Sequence, residues 1–293
     1  MINWIFLTVL AAILGSISSI FDRYILKNEL RTSDTLVILW AFFATLMFCG
    51  PAILTGQISP NPLTIGLGAI SALFYLSAMH YYYRCINSSE LSRAVPIFSV
   101  NPVIILILAS IFLGEFYQPR QYFGIILVII GVFIDIIDQQ KHRLINKNTI
   151  IWACFAALAF AIKNILVKWQ IIQGIEPYNI LFWIGAFILI FNIPFAIKSH
   201  IAWRLKTKHR WPDLIIASAI TAATTIIYTT AVTIGPATLI AFLDRIQILF
   251  VFILSTILDI FFPGFLKEKF IKAAFFQKLT GVLLILMGSY YLI

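Results

Sequence analysis

Charged residues are scarce in this sequence, since Asp, Glu, Lys and Arg make up only 11% of its 293 residues. An average soluble domain has roughly 25%. Hydrophobic residues make up 61%, and a soluble fold would leave much of that apolar surface in water at a cost proportional to its area. The scarcity of charge therefore excludes an ordinary soluble protein and favours a chain that lies in a lipid bilayer.

Residue patterns that support catalysis or metal binding are also missing. The three cysteines form no Cys-x-x-Cys pair, and three of the four histidines fall in predicted loops, so neither a disulfide framework nor a metal site is expected. The sequence has no H-E-x-x-H or G-x-S-x-G motif for an intramembrane enzyme. It also lacks the phosphate-binding loop of an ATP-driven pump. We therefore expect no catalytic residue, no metal and no cofactor.

Ten apolar stretches approach or reach the length of about 20 residues that a helix needs to cross a bilayer. The predicted helices are 3–25, 35–55, 62–84, 91–113, 121–137, 149–169, 178–197, 212–233, 236–258 and 275–292. The N-terminus lacks the basic region and cleavage site of a signal peptide, so the first helix is expected to be retained. The sequence thus predicts an all-α integral membrane protein of about ten transmembrane helices.

The chain also looks like two copies of a five-helix unit. A polar segment at 87–91 precedes one long apolar run, and a comparable segment at 235–239 precedes another. The glycines that bound the apolar run 124–131 have counterparts that bound the run 281–288. A unit with an odd number of helices inserts upside down relative to its copy, which gives inverted repeats. The predicted repeats are residues 1–140 and 141–293.

A series of motifs in the first half resembles a known family. The segment Glu90-Leu-Ser-Arg-Ala-Val-Pro precedes Asn101-Pro102, Gly114-Glu115 and the glycine-bearing helix 124–131. This order resembles the EamA-type branch of the drug/metabolite transporter superfamily. No Gly-Glu follows the ninth predicted helix, where Glu268 is the nearest equivalent. The resemblance implies a secondary transporter of small metabolites, and we expect it in a bacterial inner membrane. Glu115 is interpreted as structural, either capping the next helix or anchoring that corner of the bundle.

Basic residues are distributed unequally between the predicted loops. Seventeen of the 21 Lys and Arg lie in or beside the connections that follow the odd-numbered helices. Their numbers are three after the first helix, two after the third, three after the fifth, five after the seventh and four after the ninth. The other membrane side has only Arg120 and Lys168. Because cytoplasmic loops carry the excess of basic residues beside anionic lipid heads, this bias predicts that both termini lie outside. The family resemblance implies the opposite. We therefore interpret the net charge of +9 as a sign of contact with anionic lipid head groups and not of nucleic-acid binding.

Three charged side chains fall deep within predicted helices, where each costs about 2.5–3.5 kcal/mol unless it faces a cavity or a partner. They are Lys163 in the sixth helix and Asp244 and Arg245 in the ninth. Counted from opposite faces at roughly 1.5 Å per residue, Lys163 and Asp244 reach nearly the same depth. We predict that they face each other across a central cavity, with Arg245 and Gln247 nearby. The alternative is a local Asp244–Arg245 arrangement that serves structure alone.

Hydroxyl and aromatic side chains form stripes on three further helices. Asp22 ends a stripe on the first helix that either lines the cavity or packs closely against a neighbour. Tyr82, Thr225 and Tyr228 are predicted to line the cavity and bind a polar solute, although hydroxyls can instead bond to their own helix. Asp22, Asp244 and His80 are the proton-coupling candidates, His80 because imidazole titrates near neutral pH and despite its alternative as a structural residue.

These patterns favour a secondary transporter that moves a small polar metabolite, such as an amino acid or an organic anion, by alternating access. Proton coupling is one option and uncoupled exchange is the other. A carrier of a lipid-linked substrate, an intramembrane enzyme and a non-transporting assembly partner are the alternatives. The sequence leaves the substrate identity, the transport direction, the coupling ion and the oligomeric state open.

Overall fold

The computed structural model describes residues 3–28, 33–88, 98, 100–136, 147–198, 211–261 and 272–293, and all regular structure in them is helical. The helices are α1 (Trp4–Asn28), α2 (Ser33–Thr55), α3 (Pro62–Ser88), α4 (Asn101–Phe112), α5 (Pro119–Ile136), α6 (Lys147–Ile172), α7 (Pro177–Lys198), α8 (Trp211–Ile234), α9 (Ala237–Leu243), α10 (Gln247–Phe261) and α11 (Lys272–Leu292). A 3₁₀ turn, Asp244–Ile246, joins α9 to α10.

Seven segments in the described part of the chain are long and apolar enough to cross a membrane. They are α1, α2, α3, α6, α7, α8 and the segment Ala237–Leu258, which combines α9, the 3₁₀ turn and most of α10. The helices α4, α5 and α11 are shorter but also apolar. Many Leu, Ile and Phe side chains are exposed on the outside of the bundle, where lipid chains replace water as the solvent. The chain is therefore an integral membrane protein.

Most helices begin and end within four residues of the predicted spans. Pro62, Pro119 and Pro177 each begin a helix, a position where the missing N–H is not needed. One difference is the 3₁₀ turn that interrupts the ninth predicted helix, because short 3₁₀ stretches leave no signature in hydropathy. Residues 91–97 and 99 of the predicted helix 91–113, together with Glu90 and Glu268 of the family comparison, lie outside the described residues.

Helices from the first half of the chain pack mainly on helices from the second half. The most extensive pairs are α5 with α11, α3 with α6, α1 with α8 and α2 with α7. In the α1–α8 pair, Trp4 lies against Gly235 while Ser18 bonds to Thr221. Sequence number thus rises along one helix as it falls along the other, so these helices are antiparallel. The hydrogen bonds between α2 and α7 follow the same order.

Glycines bring α5 and α11 into close contact. Gly124 faces Gly288 and Gly131 faces Gly281, and a methyl group at Gly131 would lie only 2.6 Å from the carbonyl oxygen of Gly281. Small residues allow membrane helices to approach this closely and gain van der Waals contact. The glycine patterns noted in both halves of the sequence therefore meet in one interface.

Candidate functional site

A cavity of about 160 Å³ lies inside the helix bundle, walled by α1, α3, α6, α8 and the 3₁₀ turn, with Phe98 and Asn101 adding to the wall. A protein cavity of about 150 Å³ accepts a molecule the size of benzene, so this cavity suits a small solute. Among the residues that the structure describes, none of α5 or α11 contributes to its lining. The cavity therefore lies away from the glycine interface, between helices of both halves.

The cavity wall is built from residues spaced three and four apart, which share one face of a helix. Two helices provide most of the hydroxyls. Those from α1 are Ser18 and Ser19, beside Gly15 and Asp22, and those from α8 are Thr221, Thr224, Thr225 and Tyr228. The polar stripes noted in the sequence thus face the cavity.

The structure brings all eight predicted binding residues to this cavity. They are Asp22, Tyr82, Lys163, Thr225, Tyr228, Asp244, Arg245 and Gln247. His80 lies elsewhere: its Nδ1 is 3.5 Å from the Asp34 carboxylate, and its side chain is 33% exposed. Arg84 also lies 3.5 Å from that carboxylate. The structure therefore separates His80 from the other proton-coupling candidates, because its part of α3 faces the start of α2.

Lys163 is a buried cation held by neutral groups. Its Nζ donates a hydrogen bond of 3.2 Å to Asn164 Oδ1 and lies 4.8 Å from the centre of the Tyr75 ring, a distance at which the ring face attracts a cation. Within the described part of the chain, the Lys163 ammonium has no carboxylate within 4.0 Å. Its charge is therefore available to an anionic group that enters the cavity.

Asp244 pairs with its neighbour in the sequence. Arg245 donates a hydrogen bond of 2.6 Å to the Asp244 carboxylate, and both side chains are largely buried. Lys163 and Asp244 thus lie on the wall of the same cavity, as predicted, but they form no ion pair with each other. The local arrangement named as the alternative does form. A long adjacent side chain reaches the carboxylate directly and offsets part of the cost of burying both charges.

Asp22 is a cavity carboxylate of a different kind. It is 3% exposed and lies close to the hydroxyls of Ser18 and Tyr83. Arg23 follows it in the chain but donates a hydrogen bond to the backbone carbonyl of Ile86. Among the residues that the structure describes, no Lys, Arg or His nitrogen lies within 4.0 Å of the Asp22 carboxylate.

The cavity hydroxyls bond both across helices and within them. Ser18 and Thr221 join α1 to α8 at 2.6 Å, and Tyr75 and Thr225 join α3 to α8 at 2.8 Å. Thr221 and Thr225 also donate to carbonyls of their own helix, which is the alternative that the sequence left open. Both roles are therefore combined in the same side chains.

Two phenylalanines of the cavity wall, Phe98 and Phe160, were not predicted from the sequence. The Phe160 ring lies 5.6 Å from Tyr75 and 5.2 Å from Phe98, and Phe98 lies 5.6 Å from Tyr82, measured between ring centres. Arg245 lies 5.9 Å from the Phe98 ring centre. In a chain with 26 phenylalanines, no spacing distinguishes a ring at a cavity from a ring in lipid.

Glu115 lies outside the cavity and holds the start of α9. Its carboxylate accepts hydrogen bonds from the backbone N–H groups of Ala237 at 2.9 Å and Thr238 at 3.2 Å, and from the Thr238 hydroxyl at 3.0 Å. A carboxylate at a helix N-terminus satisfies N–H groups that have no partner within the helix. Capping of the next helix, α5, was therefore the wrong expectation, since Glu115 caps a helix of the other half.

Comparison with known proteins gives relatives for half of the chain. Residues 2–136 match the model of the EamA-like transporter family. A "Probable amino-acid metabolite efflux pump" of Salmonella typhimurium strain LT2 is 25% identical, over 47% of this chain and 49% of that protein. The Escherichia coli K12 protein of the same name is 23% identical, over 49% and 51% of the two chains. The chain spans about half the length of these curated relatives or less, since "Protein RarD" of Escherichia coli K12, at 24% identity, is matched over 38% of its length.

A solved structure matches nearly the whole chain. It is described only as "Crystal structure of protein" and superposes with a TM-score of 0.64 at 13% sequence identity. The match covers 96% of this chain and 95% of the other. At this identity the likeness shows the fold alone.

Proposed function

We propose, from the match of residues 2–136 to the model of the EamA-like transporter family, that the chain is a secondary transporter of a small polar metabolite. The observation that carries this proposal is the polar cavity between the two halves, which holds a cation and a carboxylate without ionic partners among the described residues. Relatives named as efflux pumps support transport over catalysis. The expectation that the chain is no enzyme agrees with those names.

Alternating access between two inverted five-helix repeats, residues 1–140 and 141–293, is the mechanism we infer. Counting α9 and α10 as the ninth span and α11 as the tenth, a twofold axis would exchange each span with the one five places along. That exchange turns the pair α1–α8 into α6–α3, and it maps the second–seventh, fourth–ninth and fifth–tenth pairs onto themselves. All these contacts occur, and their symmetry supports the repeat.

The substrate we infer is a zwitterion of the amino-acid type. Lys163 suits a carboxylate, because its ammonium is held only by an amide oxygen and an aromatic face. Asp22 suits an amine, because it is a buried carboxylate on the same cavity wall. A volume of about 160 Å³ favours a solute of this size over a lipid-linked one. Asp244 and Arg245 contribute to the wall as an ion pair. Hydrogen-bonding groups are added by Tyr82, Thr225, Tyr228 and Gln247.

Asp22 is also the proton-coupling group that the geometry favours. Asp244 is already paired with Arg245, and His80 lies outside the cavity. A carboxylate that holds either a proton or the substrate amine makes the two compete for one site. Such competition couples the exit of the substrate to the entry of a proton.

The membrane orientation stays a prediction from the charge bias, with both termini outside a bacterial inner membrane. A reporter fused after Ile293 tests it, because an enzyme such as alkaline phosphatase is active only outside the cytoplasm. Activity of a reporter that folds only in the cytoplasm would reverse the orientation.

The decisive experiment is uptake by the purified protein in sealed liposomes. Radiolabelled amino acids, organic anions and nucleotide derivatives are screened with and without a pH gradient, against liposomes without protein. We expect saturable uptake of a zwitterion that a gradient stimulates. Chemical turnover without movement of any solute would replace the transporter proposal with the enzyme.

A further inference from the structure

The connection between α8 and α9 is held by two opposite charges. Lys168 of α6 donates hydrogen bonds to the carbonyl oxygens of Val232 at 2.7 Å and Gly235 at 2.9 Å. Glu115 accepts the first N–H groups of α9 just beyond, and the Tyr117 hydroxyl donates to the same carboxylate. A cation thus binds the carbonyls that end α8, while an anion binds the N–H groups that begin α9. Both arrangements match the dipole of the helix end concerned.

This clasp, defined as Glu115, Lys168 and the backbone 232–238, lies at the end of the bundle where α1 begins, which we term the N-side. Trp4 marks that end, since its ring packs so closely on Gly235 that a methyl group there would lie 2.7 Å away. Glu115 follows α4 and Lys168 lies in α6, and both of these helices also pack on α9. The clasp therefore ties three parts of the bundle together.

Along α8, an apolar cluster follows the last cavity residue, Tyr228, and lies next to the clasp. Ala231, Val232 and Ile240 form a buried cluster against which Leu7 and Tyr228 pack. Tyr228 also lines the cavity, so it contacts both the cavity and the apolar cluster. A solute leaving the cavity toward the N-side along α8 would pass Tyr228, then the apolar cluster and then the clasp.

We propose that the clasp is the gate that closes the cavity on the N-side, and that its release opens the cavity to that face. This inference rests on the proposed transport function, because only alternating access requires the N-side to open. Glu115 comes from the first half and α9 from the second, so the bonds between them break when the halves separate there. Each bond joins a charge to a backbone group or to the Thr238 hydroxyl, and water can solvate all of these groups once they part.

The test measures access to the cavity without any substrate. A single cysteine replaces Thr224, a cavity residue, after Cys49, Cys85 and Cys154 are changed to alanine. A membrane-impermeant maleimide is added to the N-side of sealed, oriented vesicles, and the labelling rate is followed. Loss of one charge-assisted hydrogen bond shifts an equilibrium by about tenfold or more. We therefore expect Glu115→Gln to raise the N-side labelling rate about tenfold, because its bonds join the two halves. Lys168 and its acceptors all belong to the second half, so Lys168→Met, which loosens the connection that Glu115 binds, should raise the rate by a smaller factor.

Glu176→Gln is the matched control, because Glu176 is an exposed carboxylate in the connection before α7, and its labelling rate should equal that of the parent. If Glu115→Gln does not fold, Thr238→Val removes one hydrogen bond to the same carboxylate and should raise the rate by a smaller factor. Equal labelling in the parent, Lys168→Met and whichever of these variants folds would overturn the gate. Faster labelling in a protein that moves no solute would keep the gate but reject the transport function.

Discussion

Replacement of Lys163 by methionine tests the cavity most directly. Methionine has a similar length but no charge, so it removes the bond to Asn164 and the contact with the Tyr75 ring while filling the space. A solute carboxylate that binds Lys163 would lose a charge-assisted hydrogen bond of about 1.5–3 kcal/mol. At about 1.4 kcal/mol per factor of ten, its dissociation constant should rise roughly 10- to 140-fold.

The assay is equilibrium binding of the best zwitterion from the uptake screen to the purified protein, followed by counterflow in liposomes. Lys147→Met is the matched control, because Lys147 lies exposed at the start of the same helix, and its affinity should not change. Thermal unfolding should show Lys163→Met to be at least as stable as the parent, since a buried cation without a carboxylate partner costs desolvation energy. Binding within twofold of the parent would refute the role of Lys163.

Three further predictions follow from the same geometry. Asp22→Asn should reduce the ratio of uptake with and without a pH gradient to about one, while exchange continues with a weaker substrate affinity because the amide cannot pair with the amine, measured in liposomes; a persistent response would reject Asp22 as the coupling group. Lys163→Met and Asp244→Asn should have additive effects on the binding free energy within about 0.5 kcal/mol, because no ion pair joins them; a larger coupling in the double variant would indicate direct pairing. Gly131→Ala should destabilise the protein by about 1–3 kcal/mol in thermal unfolding, whereas Gly66→Ala, which has open space around it, should not; equal stabilities would contradict the close α5–α11 contact.

The sequence predicted the helices well because lipid imposes a simple rule. Every span must be apolar and close to the bilayer thickness in length, so hydropathy alone places most helix ends within a few residues. Prolines at three helix starts make those boundaries sharper. The polar stripe that ends at Asp22 was also visible, because spacing of three and four defines a face and polar residues on a membrane helix are costly on the lipid side.

Neighbours in space were harder to predict than depth. Lys163 and Asp244 do share a cavity, but depth along a helix says nothing about which partner a long side chain reaches, and Arg245 was closer. Glu115 was interpreted as structural, either capping the next helix or anchoring that corner of the bundle, yet the helix that it caps begins 122 positions away in the chain. Phe160 could not be predicted from the sequence, because its hydropathy is the same whether the ring faces lipid or the cavity.

The glycine interface between α5 and α11 has a consequence for how the protein is made. The ribosome releases α11 into the membrane only after α6 to α10 have been synthesised. Until then α5 presents to lipid a glycine-lined surface whose partner does not yet exist, and the first half has little of its own to pack against. This interface is therefore the last of the extensive helix pairs to form, and a truncation upstream of α11 would leave the glycine-lined surface of α5 exposed to membrane chaperones or proteases.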